Sequence, residues 1–269
     1  MKLTIDGFGD INVARSGPTG ATPLVLLHPV GLDLTWWSAQ IDGFRDRFDV
    51  VAVDMPGHGL SADLAGKPTF DRLAALVEQV MIRLDLRPAH IVGLSIGGMI
   101  AQTLVLRAPA RVRSLALVGT ACGFPDDVRD ALRERARVAR TEGMDTIATL
   151  AVARWFTADF RAARPDMMDR ARMSLLHRDA AFHAEIWDMV AMLSTQAQLA
   201  SVACPTLIVV GECDINTPPA SARQLQGAIA GSRIESMADT GHLPPFERPE
   251  AFNRLLRSFL DDVEGIHGD

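Results

Sequence analysis

Residues 90–102 read HIVGLSIGGMIAQ. Residues 91–94 are an apolar run of the kind that forms a buried strand, and an apolar helical pattern starts directly after it. Between the two stands Ser95, crowded by Gly93, Gly97 and Gly98. A chain passing from strand to helix in so few residues must bend sharply, and glycines remove the Cβ atoms that would collide in the bend. The segment Gly93-Leu94-Ser95-Ile96-Gly97 has the form GxSxG. By composition alone such a pattern arises in roughly one chain in ten of this length. Its position between a predicted strand and a predicted helix is what gives it meaning. Such a turn strains the backbone at the serine and projects the hydroxyl from the carboxyl end of the strand. The first N–H groups of the helix then favour negative charge beside it. The plainer alternative is an ordinary helix N-cap serine.

The rest of the chain supplies the context this turn requires. Short β-rich runs fall at residues 11–15, 24–28, 50–53, 91–94, 115–118 and 207–210, with a weaker one at 233–237. Several are unbroken apolar runs, as expected of strands covered on both faces of a mostly parallel sheet. Helical patterns lie between them, at residues 70–84, 96–107 and 250–260. Leu73, Leu76, Val77, Val80 and Leu84 repeat at the helical period. Alternating strands and helices predict an α/β fold. Residues 123–200 break the alternation with Arg- and Met-rich helical stretches and no convincing strand. The expected organisation is a core of residues 1–122 and 201–269 with a helical cap insertion at 123–200.

Composition narrows the function classes. The 269 residues are 48% hydrophobic with a net charge of -6, which suits one globular domain and no nucleic-acid footprint. No apolar run approaches the roughly 20 residues needed to span a bilayer. The first residues lack the apolar core of a secretory signal, so a cytoplasmic protein is expected. Cys122, Cys204 and Cys213 form no CxxC pair, so neither a zinc site nor a disulfide framework is predicted. The chain has no tyrosine, which removes any mechanism that needs a phenol.

A serine hydroxyl attacks poorly until a base takes its proton. In this strand-turn-helix context the expected order along the chain is serine, acid, histidine. The late strand at 207–210 is followed by Glu212-Cys213-Asp214. Asp214 is the favoured acid and Glu212 the runner-up. His242 lies in Asp239-Thr240-Gly241-His242-Leu243-Pro244-Pro245, the loop before the final helix, and is the expected base. His58, in PGHG, is expected to be structural. A developing oxyanion needs two donors. The Ile96 N–H follows the nucleophile, and Val30 is the candidate in the His28-Pro29-Val30-Gly31 loop, where Pro29 has no N–H to give. Trp36 and Trp37 are read as core packing, with one ring a candidate to line the acyl pocket, and Met167, Met168 and Met173 as adaptable packing. Arg133, Arg135, Arg137 and Arg140 are read as a solvated face that could also attract anionic substrates.

With these residues in place, the chain resembles the α/β-hydrolase superfamily through LLHPVG, VDMPGHGLS, GLSIGG, GECD and GHLPPFERPE. Within it, the chain looks most like 3-oxoadipate enol-lactonases of aromatic catabolism, with RTEGM and RWFTADF in the insertion as the closest parts. The resemblance implies attack by Ser95 on a small lactone or ester, an acyl-enzyme, and release by water, with no metal or organic cofactor. Carboxylesterases and C–C bond hydrolases of ring-cleavage products use the same residues, and a non-catalytic ligand receptor is the contrasting class. Two loops depart from the enol-lactonase pattern. HPVG stands where a polar SNSLG-like segment is usual, and DMPGHG where a DTRGHG-like loop is usual. Arg154 and Trp155 in the insertion are the expected substrate-binding residues, a cation for a carboxylate and an apolar wall. The same two residues could instead face solvent and anchor the insertion. The expected partner is a small molecule, with no nucleic acid and no membrane; a homo-oligomer is left open.

Overall fold

A computed structural model describes residues 1–266 of the chain. Its strands are β1 Lys2–Ile5, β2 Gly9–Ser16, β3 Pro23–Leu27, β4 Asp49–Val53, β5 Ala89–Leu94, β6 Val112–Val118, β7 Thr206–Gly211 and β8 Arg233–Met237. They form one eight-stranded sheet in the order β1-β2-β4-β3-β5-β6-β7-β8. β1 and β2 pair antiparallel, as do β2 and β4, and every other pair is parallel. All seven predicted strands are present, including the weak one at the β8 edge. β1 went unread because a four-residue, largely exposed edge strand carries no apolar run.

The central strands bury both faces. In β3, Leu24 and Leu26 enter one core cluster while Val25 and Leu27 enter the other. β5 divides likewise, with Val92 and Leu94 on one side and Ile91 on the opposite side. This is the alternation a parallel sheet between two helical layers requires.

The helices are α1 Ser38–Phe44, α2 Phe70–Arg83, α3 Ile96–Arg107, α4 Asp126–Trp155, α5 Ala158–Ala163, α6 Pro165–Leu176, α7 Ala180–Ala191, α8 Pro219–Ala228, α9 Pro244–Glu247 and α10 Pro249–Glu264. α2 begins at Thr69, whose hydroxyl accepts the Arg72 N–H at 3.2 Å, and buries the predicted stripe from Leu73 to Val80. α10 lays Phe252, Leu256, Phe259 and Leu260 against the sheet; burial of each such side chain contributes roughly 1.5–3 kcal/mol.

α4 to α7 fill the segment between β6 and β7, where no strand was predicted. α4 packs along α7 and α6. It is not one continuous helix. Gly143, at φ 78° and ψ -177°, breaks it into two arms, a conformation open to glycine at little cost.

Candidate active site

Ser95 stands between β5 and α3 at φ 55° and ψ -116°, a strained combination for a residue with a Cβ. The surroundings hold it there. Its N–H donates to the Val118 carbonyl at 2.8 Å, and its carbonyl accepts the Thr120 hydroxyl at 2.7 Å. Space for the turn depends on glycine. A Cβ on Gly97 would lie 2.3 Å from the Leu27 carbonyl oxygen, and one on Gly93 2.4 Å from that of Gly97. The start of α3 is therefore pressed against the end of β3, beside the loop that holds Val30.

His242 is buried and reaches Ser95, with Nε2 3.1 Å from Oγ. Its Nδ1 lies 2.8 Å from Asp214 Oδ2. The Asp214 carboxylate has no proton to donate, so the His242 Nδ1–H donates to it and Nε2 is left to accept from the serine hydroxyl. The other bonds of Asp214 come from its own turn. Oδ1 accepts the Asn216 N–H at 2.7 Å and the Thr217 N–H at 3.0 Å, and Oδ2 accepts the Thr217 hydroxyl at 2.8 Å. Burial opposes ionisation of this carboxyl, but the electrostatic interaction and hydrogen bond with His242, with the Thr217 bonds, hold it below the usual carboxylate range. Glu212, the other acid considered, is exposed.

The His242 loop is fixed by a residue that sequence reasoning passed over. Glu247 is 3% exposed. Its Oε2 accepts the Gly241 N–H at 2.8 Å, and its Oε1 accepts both the N–H (3.1 Å) and the hydroxyl of Thr157, at the end of α4. The His242 N–H itself donates to the Trp155 carbonyl at 2.8 Å. The histidine loop and the end of α4 are thus tied by the same carboxylate. The only signal for this in the sequence was an acidic residue inside GHLPPFERPE.

The Val30 and Ile96 N–H groups have no acceptor among the described residues, and both residues line the cavity over Ser95. The loop that carries Val30 is held by two neighbouring imidazoles, their ring centres 5.0 Å apart and their planes tilted by 50°. His58 Nε2 accepts the Gly31 N–H at 3.0 Å, and His28 Nε2 accepts the Met55 N–H at 2.9 Å. Each Nδ1 lies against a carbonyl, of Pro56 and Pro29 respectively, so both rings are neutral with Nδ1 protonated. Burial pushes both down from the ordinary histidine value. The structural role expected of His58 matches these contacts.

The cavity over Ser95 encloses about 250 Å³ between the carboxyl end of the sheet and helices α4 and α7. Its walls are mostly apolar, with Met99, Phe124, Leu132, Trp155 and Trp187 among them. Arg154 lines it as well. Its guanidinium donates to Asn216 Oδ1 at 3.0 Å and to the Ile215 carbonyl at 3.3 Å, so it is neither free in solvent nor paired with an acid. Trp155 is 5% exposed and serves both readings, as cavity wall and as anchor. Trp36 and Trp37 stay in the core away from the cavity.

The reading of the arginine run needs one correction. Arg133, Arg137 and Arg140 do face solvent, paired with Asp130, Glu134 and Asp188. Arg135 does not. It stands on the opposite side of the helix, in step with Val128 and Leu132, and all three line the cavity. Spacing of three and four from those apolar residues was the signal, hidden by the neighbouring charges. Burial first, and the nearby Arg154 charge second, push the Arg135 guanidinium down to about 10. Among the described residues no group of three or more His, Cys, Asp or Glu is placed to hold a metal ion, and no helix is long and apolar enough to cross a membrane.

A mostly parallel sheet with a strained serine at a strand-to-helix turn, and a histidine and an acid from the following loops, defines an α/β hydrolase architecture. The chain belongs to the α/β hydrolase fold family, whose model matches residues 22–249. It is 28% identical to 3-oxoadipate enol-lactonase 2 of Acinetobacter baylyi over 93% of this chain and 92% of that one. It is 27% identical to a carboxylesterase of Bacillus subtilis over 94% and 85% of the two chains. Among solved structures, the enol-lactonase of Burkholderia xenovorans LB400 superposes with a TM-score of 0.91 at 30% identity, covering 97% of this chain and 99% of that one.

Proposed function

We propose that this hydrolase opens a small lactone or ester through an acyl-enzyme, with an enol-lactone of the 3-oxoadipate type as the favoured substrate. The observation that carries the reading is His242, placed between Ser95 Oγ at 3.1 Å and Asp214 Oδ2 at 2.8 Å. In this reading Ser95 is the nucleophile. His242 takes its proton as Oγ bonds to the substrate carbonyl carbon, and Asp214 holds the imidazole in its Nδ1–H tautomer and stabilises the imidazolium. The tetrahedral oxyanion rests on the Val30 and Ile96 N–H groups. Loss of one such donor typically costs about 100- to 1000-fold in rate. Collapse breaks the ring C–O bond. His242 returns the proton to the leaving oxygen, which from an enol-lactone departs as an enol and becomes a ketone. Water, deprotonated by His242, then releases the acid and regenerates the serine.

In the same proposal residues 123–200 act as a cap over the site, and Arg154 with Trp155 contacts the substrate. The similarity to enol-lactonases supports the lactone, and the similarity to carboxylesterases supports a simple ester as the second choice. The test is loss of 3-oxoadipate enol-lactone, generated in place, with native protein and Ser95→Ala side by side. Rapid loss with the native protein alone supports substrate and nucleophile together. Equal slow loss with both, alongside hydrolysis of neutral esters by the native protein, would replace the lactone with an ester.

A further inference from the structure

The cavity over Ser95 does not end at Arg135 and Arg154. A second chamber of about 190 Å³ shares Arg135, Arg154, Trp155, Trp187 and Asn216 with it and continues to Ile147, Leu150 and Ala151. The two arginines therefore stand at the neck between the chambers. Their charges are uncompensated. No Asp or Glu lines either chamber. Arg154 is satisfied by two neutral oxygens, of Asn216 and Ile215. Arg135 makes no hydrogen bond or ion pair among the described residues; its contact is with the face of Trp187, whose ring centre lies 5.0 Å from its guanidinium carbon. Two guanidinium groups lining the same apolar neck repel, and burial there strips hydration from Arg135. A protein that keeps such a pair has a site that an anion completes.

We propose that Arg135, with Arg154, forms an anion-binding neck that selects a substrate carrying a carboxylate beyond its scissile ester or lactone bond, and that Arg135 is the principal specificity-determining residue of the site. The planar fork of a guanidinium suits a carboxylate, and the Arg135 donors are unengaged while those of Arg154 are partly held. The Trp187 and Trp155 rings exclude water from the neck and strengthen the attraction. This inference rests on the hydrolase reading of Ser95, and the experiment separates the two.

The measurement is kcat/KM for the p-nitrophenyl monoesters of succinate, glutarate and adipate against that for p-nitrophenyl butyrate. Native protein should prefer at least one acidic ester over the neutral one. Arg135→Met keeps the apolar stem and removes the charge. It should lower the acid-to-neutral ratio about 10- to 100-fold, the size of a lost hydrogen bond to a charged group, mainly through KM. Arg135→Lys should recover part of the ratio, and Arg154→Met should lower it less. Added salt should erode the ratio of the native protein more than that of Arg135→Met. A native preference for the neutral ester, or a ratio unchanged in Arg135→Met, overturns the proposal. If native protein cleaves none of the esters, the ester-hydrolase reading fails instead. The neck is then judged by binding alone, from tryptophan fluorescence of Ser95→Ala titrated with glutarate and adipate. Quenching that is lost on adding Arg135→Met supports the neck, and no quenching by either diacid overturns it.

Discussion

The two walls of the cavity are built by different means. The sheet side is held largely through main-chain groups, met by one another or by short side chains and buried imidazoles. Ser95 is pinned by the Val118 carbonyl and the Thr120 hydroxyl, and Asp214 by two N–H groups of its own turn. The helical side, from α4 to α7, is held by side chains: Trp155 in the core, Glu247 gripping Thr157, Arg129 bonded to the carbonyls at the end of α7. A backbone-determined wall fixes where a bond is made and broken. A wall of side chains on helices can change its lining without moving the chemistry. The difference lets the proposed reaction and the proposed substrate choice be tested separately.

The predictions probe that separation, beginning at the sheet. Ser95→Ala should reduce kcat by about a million-fold, and His242→Ala by a similar amount, while circular dichroism stays native. A variant with substantial remaining turnover would move the nucleophile elsewhere. Asp214→Asn should cost about ten-thousand-fold in kcat, since an amide at that position favours the wrong imidazole tautomer. If it is harmless, Glu212 becomes the acid to examine. Gly97→Ala should reduce stability by about 1–3 kcal/mol, because its methyl group meets the Leu27 carbonyl at 2.3 Å. A denaturant midpoint unchanged by that substitution would mean that the turn at Ser95 has more room than described. Glu247→Gln, on the seam between the two walls, should cost about 1–3 kcal/mol, because an amide cannot accept all three of its hydrogen bonds. It should also slow hydrolysis through the displaced His242 loop.

The pH dependence acts on stability across both walls. Burial lowers His28 and His58, and pushes His183 and His90 down to about 4. The fold favours their neutral forms relative to an unfolded chain, whose histidines titrate near ~6.5. That stability is complete above about pH 6.5 and is lost as pH falls toward 4, the value reached by His183 and His90. Urea midpoints should therefore be level from neutral pH upward and decline on the acid side. A midpoint that rose on acidification would contradict the neutral His28–His58 pair under the Val30 loop.

The sheet wall was legible in the sequence because its signals are local. GLSIGG joins an apolar run to a helical one, and Asp214 and His242 each follow a strand at its tip. Short β-rich runs, several of them unbroken apolar stretches, locate seven of the eight strands for the same reason; β1 is short, at the sheet edge and mostly exposed. The helical wall was less legible. Whether Arg135 faces solvent or the cavity depends on which side of α4 packs against α7, and three exposed arginines around it mask the apolar spacing from Val128 to Leu132. Glu247 acts through contacts with Thr157, ninety positions away, which no local pattern announces. Arg154 was found as a cation, but its hold on Asn216 and Ile215 could be seen only in three dimensions.

The central claim is that His242, oriented by Asp214, activates Ser95. The most direct measurement is reaction with a fluorophosphonate followed by intact-mass and peptide mapping. Native protein should take up one label, on Ser95, with Asp214→Asn labelled far more slowly and Ser95→Ala not at all. A native protein that stays unlabelled, or carries its label on another residue, would contradict the account.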